Sequence, residues 1–508
     1  MERKQVAIGI DLGTTTSLAG CLLKGVPIIF PNERGNLLTP CIVAFRSRQT
    51  AWVGELARNL LTSRKRNQVV VYPMRYIGTE KVYAIGDREY SPSEVLLIIL
   101  RKLRDIAAKY LKIRGNRIRK VILTAPAHFN DTQRLAIVRA GKHAGFDVVR
   151  LVSEPVAAAA AHGFLNTFGE ERLLVFDLGG LTLDITLIEV ADGSFYIRGT
   201  SSTDLVGGIR FDEMLAKFLA RKFEEICGAN FSEDTVLYQN LLHVAEKTKI
   251  DLSFVEDTEV LFPYLLSGSS PKKTYLNVRI NRTQFEKITA PLFEQIRKTV
   301  MDAFKRSSIV PGWVSTVIMS GGCSRIPRIK DMLLEILSPG VQVENHIPPE
   351  QTVAIGASVL SGFIDDPERL SQLELQNITS YHLGLEDNDG NMVVVIPRGN
   401  TYPCEVTRTF TTAEDNEDEA VIHILQSKDP ENSRSYQSLG QITLHKLPPA
   451  RAGEPNIRIT FAIDEYGVLK VSVKHPFTKE STKTIIKTGQ WKGAFTKPER
   501  RGTGLRVL

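Results

Sequence analysis

The sequence predicts an α/β protein of two similar lobes followed by a smaller all-β domain. Three observations predict this fold class: a strand-turn-strand motif that occurs twice, mixed helix and strand patterns up to about residue 366, and short alternating strands after it. The length of 508 residues agrees, because a single hydrophobic core rarely serves so long a chain. We expect a first lobe at residues 1–165, a second lobe at 166–366, a linker at 367–378, a β-sandwich at 379–489 and a basic flexible tail at 490–508.

The repeated motif has the composition of a phosphate-binding turn. In each copy, at residues 8–17 and 175–184, an apolar run ends in an aspartate, glycines follow, and hydroxyl residues come next. Glycine lets backbone N–H groups approach an anion, the hydroxyls add hydrogen bonds, and the aspartate can hold hydrated Mg²⁺. One glycine turn is usually an ordinary hairpin. Two copies with matching aspartates, Asp11 and Asp177, favour phosphate binding, and the cleft between two such lobes is the natural nucleotide site.

Local signals predict the elements of the two lobes in order. A hairpin carries the first turn, and Ser91 or Ser93 caps a helix whose apolar residues recur with helical spacing as far as Ile106. A buried strand ends before Pro126, and the helix after it is ended by Gly145. We expect a hairpin at residues 5–23 and strands at 120–124 and 317–320. Besides the helix that Ser91 or Ser93 caps, the expected helices are at residues 130–144, 208–226, 237–252, 283–307 and 328–337.

Beyond Thr379 apolar and polar residues alternate, which is the period of half-buried strands. Turn signals such as Asp389-Gly390 separate the runs, so we expect a compact β-sandwich of about seven strands. The expected strands are residues 392–396, 405–412, 420–426, 441–447, 456–463, 468–474 and 482–487.

Composition excludes several classes of function. Hydrophobic residues make up 43% and charged residues 24% of the chain, as in ordinary globular proteins. The five cysteines are scattered, which argues against a disulfide framework or a cysteine zinc site. No apolar run is long enough to cross a bilayer. Five basic residues against one acidic residue after Gln490 account for much of the net charge of +7, so too little remains for nucleic-acid binding. We expect a cytoplasmic protein that binds neither nucleic acid nor membrane.

A set of motifs in fixed order carries a family resemblance. The motifs are Asp11-Leu-Gly-Thr-Thr, Pro126-Ala-His-Phe-Asn-Asp131, Glu154-Pro155, Asp177-Leu-Gly-Gly-Leu-Thr182, Gly207-Gly208, Gly321-Gly322, Ala354-Ile-Gly356 and Phe410-Thr-Thr-Ala-Glu-Asp-Asn416. In this order they resemble the seventy-kilodalton heat-shock (DnaK-type) chaperones over about residues 5–489. The resemblance implies an actin-like ATPase domain of duplicated ribonuclease H-like lobes, followed by a peptide-binding β-sandwich.

The resemblance also implies a site for Mg²⁺ and ATP or ADP. Asp11 and Asp177 would hold the water shell of the metal, Glu154 and Asp184 would position the attacking water, and Thr182 would lie near the γ-phosphate. The other matched nucleotide-binding positions are Gly13, Thr14, Thr15, Thr16, Gly179, Gly180, Gly207, Gly208, Glu246, Lys249, Ser253, Gly321, Gly322 and Arg325.

In the β-domain the resemblance implies a groove for an extended peptide. The matched groove residues, which could equally be core, are Leu383, Leu385, Phe410, Ala413, Ala420 and Ile422. Pro126 and Arg134 match residues that relay the nucleotide state, although Pro126 could merely end a strand and Arg134 merely occupy a helix surface; we favour the relay. The implied partners are unfolded polypeptides, a J-domain co-chaperone and a nucleotide exchange factor, and the implied oligomeric state is a monomer.

The sequence departs from the family pattern at several places. Met74 stands where the family has its catalytic lysine, and Leu181 replaces the third glycine of the second turn. The linker at residues 373–377 is half polar, Ala420 is smaller than the usual aliphatic residue, and we expect no helical lid after the sandwich, so a bound peptide should leave quickly. Met74 and Leu181 support the alternative of an ATP-binding module that hydrolyses ATP negligibly. A small-molecule kinase of the same nucleotide fold is disfavoured, because it would not need a peptide-sized β-domain.

Overall fold

The structure is a computed structural model that describes residues 6–507, with gaps. The residues outside the description are 47–49, 62–65, 165–169, 192–193, 228–235, 266–272, 308, 345, 364–374, 380, 428, 446, 448, 455, 465–467, 475–480 and 485–504. The chain divides into two compact units, which are described separately. The larger unit comprises residues 1–76, 80–126 and 140–374, and the smaller unit comprises 77–79, 127–139 and 375–508.

The larger unit begins with a first lobe built around one mixed sheet. The strands, in chain order, are β1 (Val6–Asp11), β2 (Thr16–Leu23), β3 (Val26–Ile29), β4 (Thr39–Pro40), β5 (Ile42–Phe45), β6 (Ala51–Val53), β7 (Val69–Val71), β8 (Tyr83–Ile85), β9 (Arg88–Tyr90), β10 (Ile118–Ala125) and β11 (Asp147–Ser153). The helices are α1 (Glu55–Arg58), α2 (Pro92–Tyr110), α3 (Asp131–His143), of which residues 131–139 fall in the smaller unit, and α4 (Glu154–Ala161).

The second lobe repeats this arrangement. Its strands are β12 (Glu170–Leu178), β13 (Leu183–Ala191), β14 (Ser194–Thr203), β15 (Asp257–Leu265), β16 (Lys273–Asn281), β17 (Thr316–Ser320) and β18 (Gln342–Glu344). Its helices are α5 (Gly208–Cys227), α6 (Val236–Leu252), α7 (Arg282–Ile288), α8 (Ala290–Ser307), α9 (Pro327–Ile336) and α10 (Thr352–Ser361).

The strand order shows that the two lobes are copies of one topology. The first sheet runs β11-β10-β1-β2-β3, and the second lobe contributes β18-β17-β12-β13-β14. In both, the first two neighbouring pairs are parallel and the next two are antiparallel. Strand β1 therefore corresponds to β12, and β10 corresponds to β17. This confirms the predicted duplicated α/β lobes of the actin-like ATPase type.

The smaller unit is mostly β-structure. Its strands are β19 (Leu375–Ile378), β20 (His382–Glu386), β21 (Met392–Ile396), β22 (Thr401–Tyr402), β23 (Cys404–Thr412), β24 (Glu419–Ser427), β25 (Gln437–His445), β26 (Ile457–Ile463), β27 (Leu469–Lys474), β28 (Ser481–Thr484) and β29 (Leu505–Val507). One sheet has the order β21-β20-β24-β25 and the other β28-β27-β26-β23-β29. Residues of both sheets form one buried cluster, so the predicted β-sandwich is confirmed. In β26 the buried residues alternate with more exposed ones, as the sequence pattern predicts.

Several elements differ from the sequence expectation. The helix expected at 283–307 is two helices, because the chain leaves helical geometry at Thr289, where the hydroxyl donates to the Phe285 carbonyl at 2.8 Å, and restarts at Ala290. The end of the expected linker, residues 375–378, is strand β19, which pairs with β22. The tail expected to be flexible contains β29, which pairs with residues 410–412 of β23. The rest of the predicted linker, residues 367–374, and the rest of the predicted tail, residues 490–504 and 508, lie outside the described part.

Helix α2 shows how local sequence signals fix an element. Ser91 is its N-cap: the Ser91 hydroxyl accepts from the Glu94 N–H at 3.3 Å, and the Glu94 carboxylate accepts from the Ser91 N–H at 2.7 Å. Such a capping box stabilises the first turn. Among the helices that the structure describes, none combines the length and apolarity needed to span a membrane.

Candidate functional site

The two aspartates of the repeated motif occupy equivalent positions in the two lobes. Asp11 ends β1, and Asp177 lies one residue before the end of β12. Each receives a hydrogen bond from a hydroxyl on the neighbouring parallel strand. Thr124 of β10 donates to Asp11 Oδ1 at 3.3 Å, and Ser320 of β17 donates to Asp177 Oδ2 at 2.8 Å. The duplication thus extends from topology to the groups that orient the carboxylates.

The glycine turns that follow these aspartates meet each other between the lobes. A side-chain carbon added to Gly180 would overlap the side chain of Thr15, so the second turn lies directly against the first. Gly13 has no room for a side chain either, because it would collide with the carbonyl of Thr16. Because these glycines have no Cβ atoms, a ligand can approach the backbone of the turns closely, as in turns that bind anions.

The start of α5 supports the second turn. The N–H groups of Gly208 and Ile209 donate to the carbonyls of Gly179 and Gly180 at 3.0 and 2.9 Å. Gly207 lies so close to Leu181 that an added Cβ would be 2.6 Å from its Cα. A side chain at position 207 would therefore displace the backbone of the second turn at Leu181.

The electrostatics of the carboxylates indicate a cation site. Burial, followed by the negative charge of Asp177, raises the pKa of Asp11 to about 7. Burial also raises the pKa of Asp177 to about 7; the hydrogen bond from Ser320 opposes the rise, and the charge of Asp184 adds to it. Asp184 is the cross-strand partner of Asp177. Buried carboxylates that repel one another are an oxygen-donor set suited to a hard cation such as Mg²⁺, which would relieve the repulsion.

The other expected catalytic residues lie at the same sheet edges. Strands β1, β10 and β11 are parallel, so their carboxyl ends share an edge, and Glu154 begins α4 directly after β11. Thr182 lies in the second turn, where its carbonyl accepts from the Gly179 N–H at 3.0 Å. The structure therefore brings Glu154 to the edge where Asp11 lies, and Asp184 and Thr182 to the edge where Asp177 lies.

The family resemblance implies adenosine contacts for six of the matched positions, which lie on or just after α6 and just after β17: Glu246, Lys249, Ser253, Gly321, Gly322 and Arg325. Lys249 forms an ion pair with buried Asp212 at 2.8 Å and donates to the Gly208 carbonyl at 3.2 Å. Its own carbonyl accepts from the Ser253 hydroxyl at 3.1 Å. Glu246 forms an ion pair with Arg58 of the first lobe. These contacts connect α6 both to the start of α5 and to the opposite lobe.

Arg325 and the two glycines before it complete this group. Arg325 makes two hydrogen bonds to Glu350, at 2.8 and 2.9 Å, and its guanidinium lies 5.5 Å from the ring centroid of Phe254. Gly321 has a φ of 77° and faces Asp177, and Gly322 begins a short 3₁₀ turn. The sequence analysis did not identify Arg58, Asp212 and Glu350. These residues form ion pairs with expected site residues, and the pairs join segments that are distant along the chain.

Met74 is buried in a segment that is linked to the first phosphate turn through Cys41. The Cys41 thiol donates to the Gly13 carbonyl at 3.2 Å, and the Tyr72 N–H donates to the Cys41 carbonyl at 3.0 Å, which fixes the segment that continues to Met74. Met74 is 1% exposed. Arg75 is exposed, and its guanidinium lies 5.7 Å from the ring centroid of Tyr76. An apolar thioether, and not the neighbouring guanidinium, is therefore the buried side chain here.

Arg134 is not a helix-surface residue. It is 3% exposed, donates to the carbonyls of Phe129 at 3.1 Å and Ala127 at 3.4 Å, and lies 5.7 Å from the ring centroid of Tyr402 in the same unit. Its Nη1 atom is buried without a hydrogen-bond partner. Pro126 directly follows β10. The surface alternative is wrong for Arg134, and the relay role of both residues stays a prediction.

The residues expected in a peptide groove are mostly core residues. Five of the six lie in the buried cluster of the sandwich: Leu383, Leu385, Phe410, Ala420 and Ile422. Ala413, just after β23, is partly exposed. These five side chains are therefore packed as core residues, which is the alternative interpretation that the sequence left open.

Comparisons with known proteins agree with this architecture. The family model described as Hsp70 protein matches residues 7–82 and 78–495. The chaperone protein DnaK of Thermosipho melanesiensis is 35% identical over 488 residues, which cover 95% of this chain and 80% of the relative. DnaK of Thermus thermophilus is 35% identical over 506 residues with the same coverage, and DnaK of Thermosipho africanus is 34% identical over 489 residues.

Proposed function

The chain belongs to the Hsp70 family, and we propose that it is an ATP-dependent chaperone whose affinity for exposed apolar segments of unfolded polypeptides changes with the bound nucleotide. Family membership supports a chaperone function in protein folding and stress response, and ATPase activity in general. The observation that carries the ATP-dependence is the contact of the two glycine turns, Gly180 against Thr15, beside the buried pair Asp11 and Asp177.

The site has the groups that phosphoryl transfer to water requires. Asp11 and Asp177 would hold Mg²⁺ through its water shell, and the metal would supply positive charge against the phosphates. The N–H groups of the turns bind phosphate oxygens, while Glu154 and Asp184 orient the water that attacks the γ-phosphate. Such a reaction depends on positioning and charge neutralisation more than on covalent participation of the protein.

A second candidate function is a nucleotide-controlled binding module that hydrolyses ATP negligibly. Buried Met74 favours it, because a thioether cannot supply the charge of the lysine that the family has there. In this alternative the chain would bind peptide and partners according to nucleotide occupancy without turnover. A single-turnover measurement of ATP hydrolysis separates the two functions.

Peptide binding is the second part of the proposal. We infer that an extended peptide adds to the edge of the sandwich near the end of β23, where Phe410 and Ala413 lie, through backbone hydrogen bonds and an apolar pocket. We also propose a cytoplasmic monomer that works with a J-domain co-chaperone and an exchange factor, as the family resemblance implies.

Peptide affinity measured with and without nucleotide tests the coupling. A fluorescent leucine-rich peptide, titrated with the full-length chain, should bind more weakly with Mg²⁺ and ATP than with Mg²⁺ and ADP. A peptide of equal length with serine at each leucine is the control and should not bind. Equal affinity in both nucleotide states would refute the coupling, whereas failure of ATP to bind in a separate calorimetric titration would refute the nucleotide site.

The tail strand leads to a prediction about the same edge. Because β29 pairs with residues 410–412 of β23, it occupies backbone groups that an added peptide would use. Removing residues 491–508 should therefore tighten peptide binding about fivefold, since a competing contact worth about 1 kcal/mol is lost. Fluorescence anisotropy with the same peptide measures this. A synthetic peptide of residues 491–508, added in excess to the truncated chain, should reverse the gain; unchanged affinity after truncation would contradict the prediction.

A further inference from the structure

Two histidines and a glutamate, none of them among the expected nucleotide-binding residues, lie together. His162 immediately follows α4, Glu344 ends β18, and His346 lies two residues beyond it. The distance between His346 Nδ1 and Glu344 Oε2 is 2.8 Å, and His162 Nδ1 is 3.9 Å from the same oxygen. One potential ligand atom from each residue lies within 4.8 Å of the other two.

His162 is the unusual member of this cluster. Its side chain is 1% exposed, yet neither ring nitrogen has a hydrogen-bond partner. A buried polar group without a partner carries a desolvation penalty, and most such groups in proteins are satisfied. A neutral imidazole keeps one nitrogen lone pair, which a metal ion can take as its ligand.

The spacing of the three groups suits a small transition-metal ion. Tetrahedral zinc with bonds of about 2.0–2.1 Å to nitrogen and oxygen places its ligands about 3.3 Å apart. The two measured separations, 2.8 and 3.9 Å, lie on either side of this value. Two imidazoles and a carboxylate are ligands that zinc accepts, and three protein ligands leave the fourth position to water.

We propose that His162, Glu344 and His346 form a binding site for a divalent transition-metal ion, with Zn²⁺ as the preferred occupant. The metal would give one nitrogen of the buried His162 imidazole a partner and would separate the closely spaced Glu344 and His346. The site is distinct from the Asp11 and Asp177 pair, whose all-oxygen donors suit Mg²⁺.

The location gives the metal a mechanical role. Helices α4 and α10 follow the equivalent strands β11 and β18 of the two lobes. They touch so closely that a side chain on Gly356 of α10 would overlap the carbonyl of Ala157 in α4. A metal held by His162 of the first lobe and by Glu344 and His346 at the end of β18 would therefore tie the two lobes together.

Zinc titration of the untagged full-length chain tests the site. After dialysis against EDTA, and without nucleotide, calorimetry with ZnCl₂ should show one ion bound per chain, and Co²⁺ should give the visible absorption of a tetrahedral complex. His346→Ala and Glu344→Gln should each weaken zinc binding at least about tenfold. His346 has 59% of its side chain exposed, so its replacement should not unfold the protein.

A matched control exists in the β-domain. His445 and Glu419 form an exposed pair at 2.5 Å, and among the described residues no third potential ligand completes a metal-binding cluster with them. His445→Ala should therefore bind zinc as the wild type does. The proposal is overturned if the wild type binds no zinc, if His346→Ala binds it as tightly as the wild type, or if His445→Ala loses it to the same extent.

Discussion

Replacing Met74 by lysine is expected to speed ATP hydrolysis by about 100- to 1000-fold, the usual effect of one electrostatic contact to a transition state. Met74 is buried two residues after Tyr72, whose N–H is bonded to Cys41, and the Cys41 thiol donates to the Gly13 carbonyl of the first turn. Since the family resemblance puts its catalytic lysine at this position, we expect an ammonium group there to act on the γ-phosphate and the attacking water. The gain requires that the remaining machinery is intact, as the hydrogen bonds to Asp11 and Asp177 indicate. Single-turnover hydrolysis of radiolabelled ATP, with the enzyme in excess, measures the chemical step directly.

Two further variants distinguish charge from packing. Met74→Leu keeps an apolar side chain of similar volume and should hydrolyse ATP at the wild-type rate. Arg75→Ala removes the exposed guanidinium that lies over Tyr76 and should also change little. If the wild type hydrolyses ATP rapidly and Arg75→Ala hydrolyses it much more slowly, Arg75 supplies the charge that the lysine supplies in the family. No gain in Met74→Lys, with ATP still bound, would exclude the missing charge as the limiting factor.

Asp177→Asn is expected to abolish tight binding of Mg²⁺ with ATP, with an affinity loss of about 100-fold or more. The variant removes one of two buried charges that the metal would neutralise, and breaking such a buried pairing typically costs about 3–5 kcal/mol. Calorimetric titration with ATP, with and without Mg²⁺, should show that the wild type depends strongly on the metal and that the variant does not. Wild-type affinity in Asp177→Asn would contradict the placement of the metal.

The same variant should stabilise the metal-free protein, and the sign follows from the pKa. Folding raises the pKa of Asp177 from 3.8 to about 7, so the folded state holds a proton that the unfolded state releases. Stability therefore falls as the pH rises from about 4 to 7, and an amide that cannot ionise avoids this loss. Thermal unfolding in EDTA should show a higher Tm for Asp177→Asn at pH 8, with a smaller gain at pH 5. Asp147→Asn, which changes an exposed partner of Arg119, should show no such gain.

Local sequence signals predicted much of the fold because they act over a few residues. The capping box at Ser91 and the hairpin that ends in Asp11 depend on neighbours along the chain, and both are present. The single helix expected at 283–307 was wrong, because apolar spacing continues through Thr289 although the backbone does not. The periodicity of apolar residues indicates which face of a helix is buried. It does not reveal an interruption of the helix when the apolar residues on both sides of the interruption stay on the same face.

Contacts between segments that are distant along the chain could not be predicted from local sequence signals. The ion pair of Arg58 with Glu246 joins opposite lobes, and the cluster at His162 joins a helix end to a strand end far along the chain. Arg134 looks like any charged residue on a polar helix, yet the fold buries it against Tyr402. These features can be identified only from the tertiary structure, which determines which side chains are buried and which distant residues are in contact.

The thiol beneath the first phosphate turn bears on how the protein tolerates oxidants. Burial raises the pKa of Cys41 to about 12, and burial also raises the pKa of Cys21, Cys323 and Cys404. Peroxide and alkylating reagents attack the thiolate, which is scarce in all four. An Hsp70-family protein with such cysteines would therefore resist thiol oxidation at these four positions, including the one that contacts the first glycine turn.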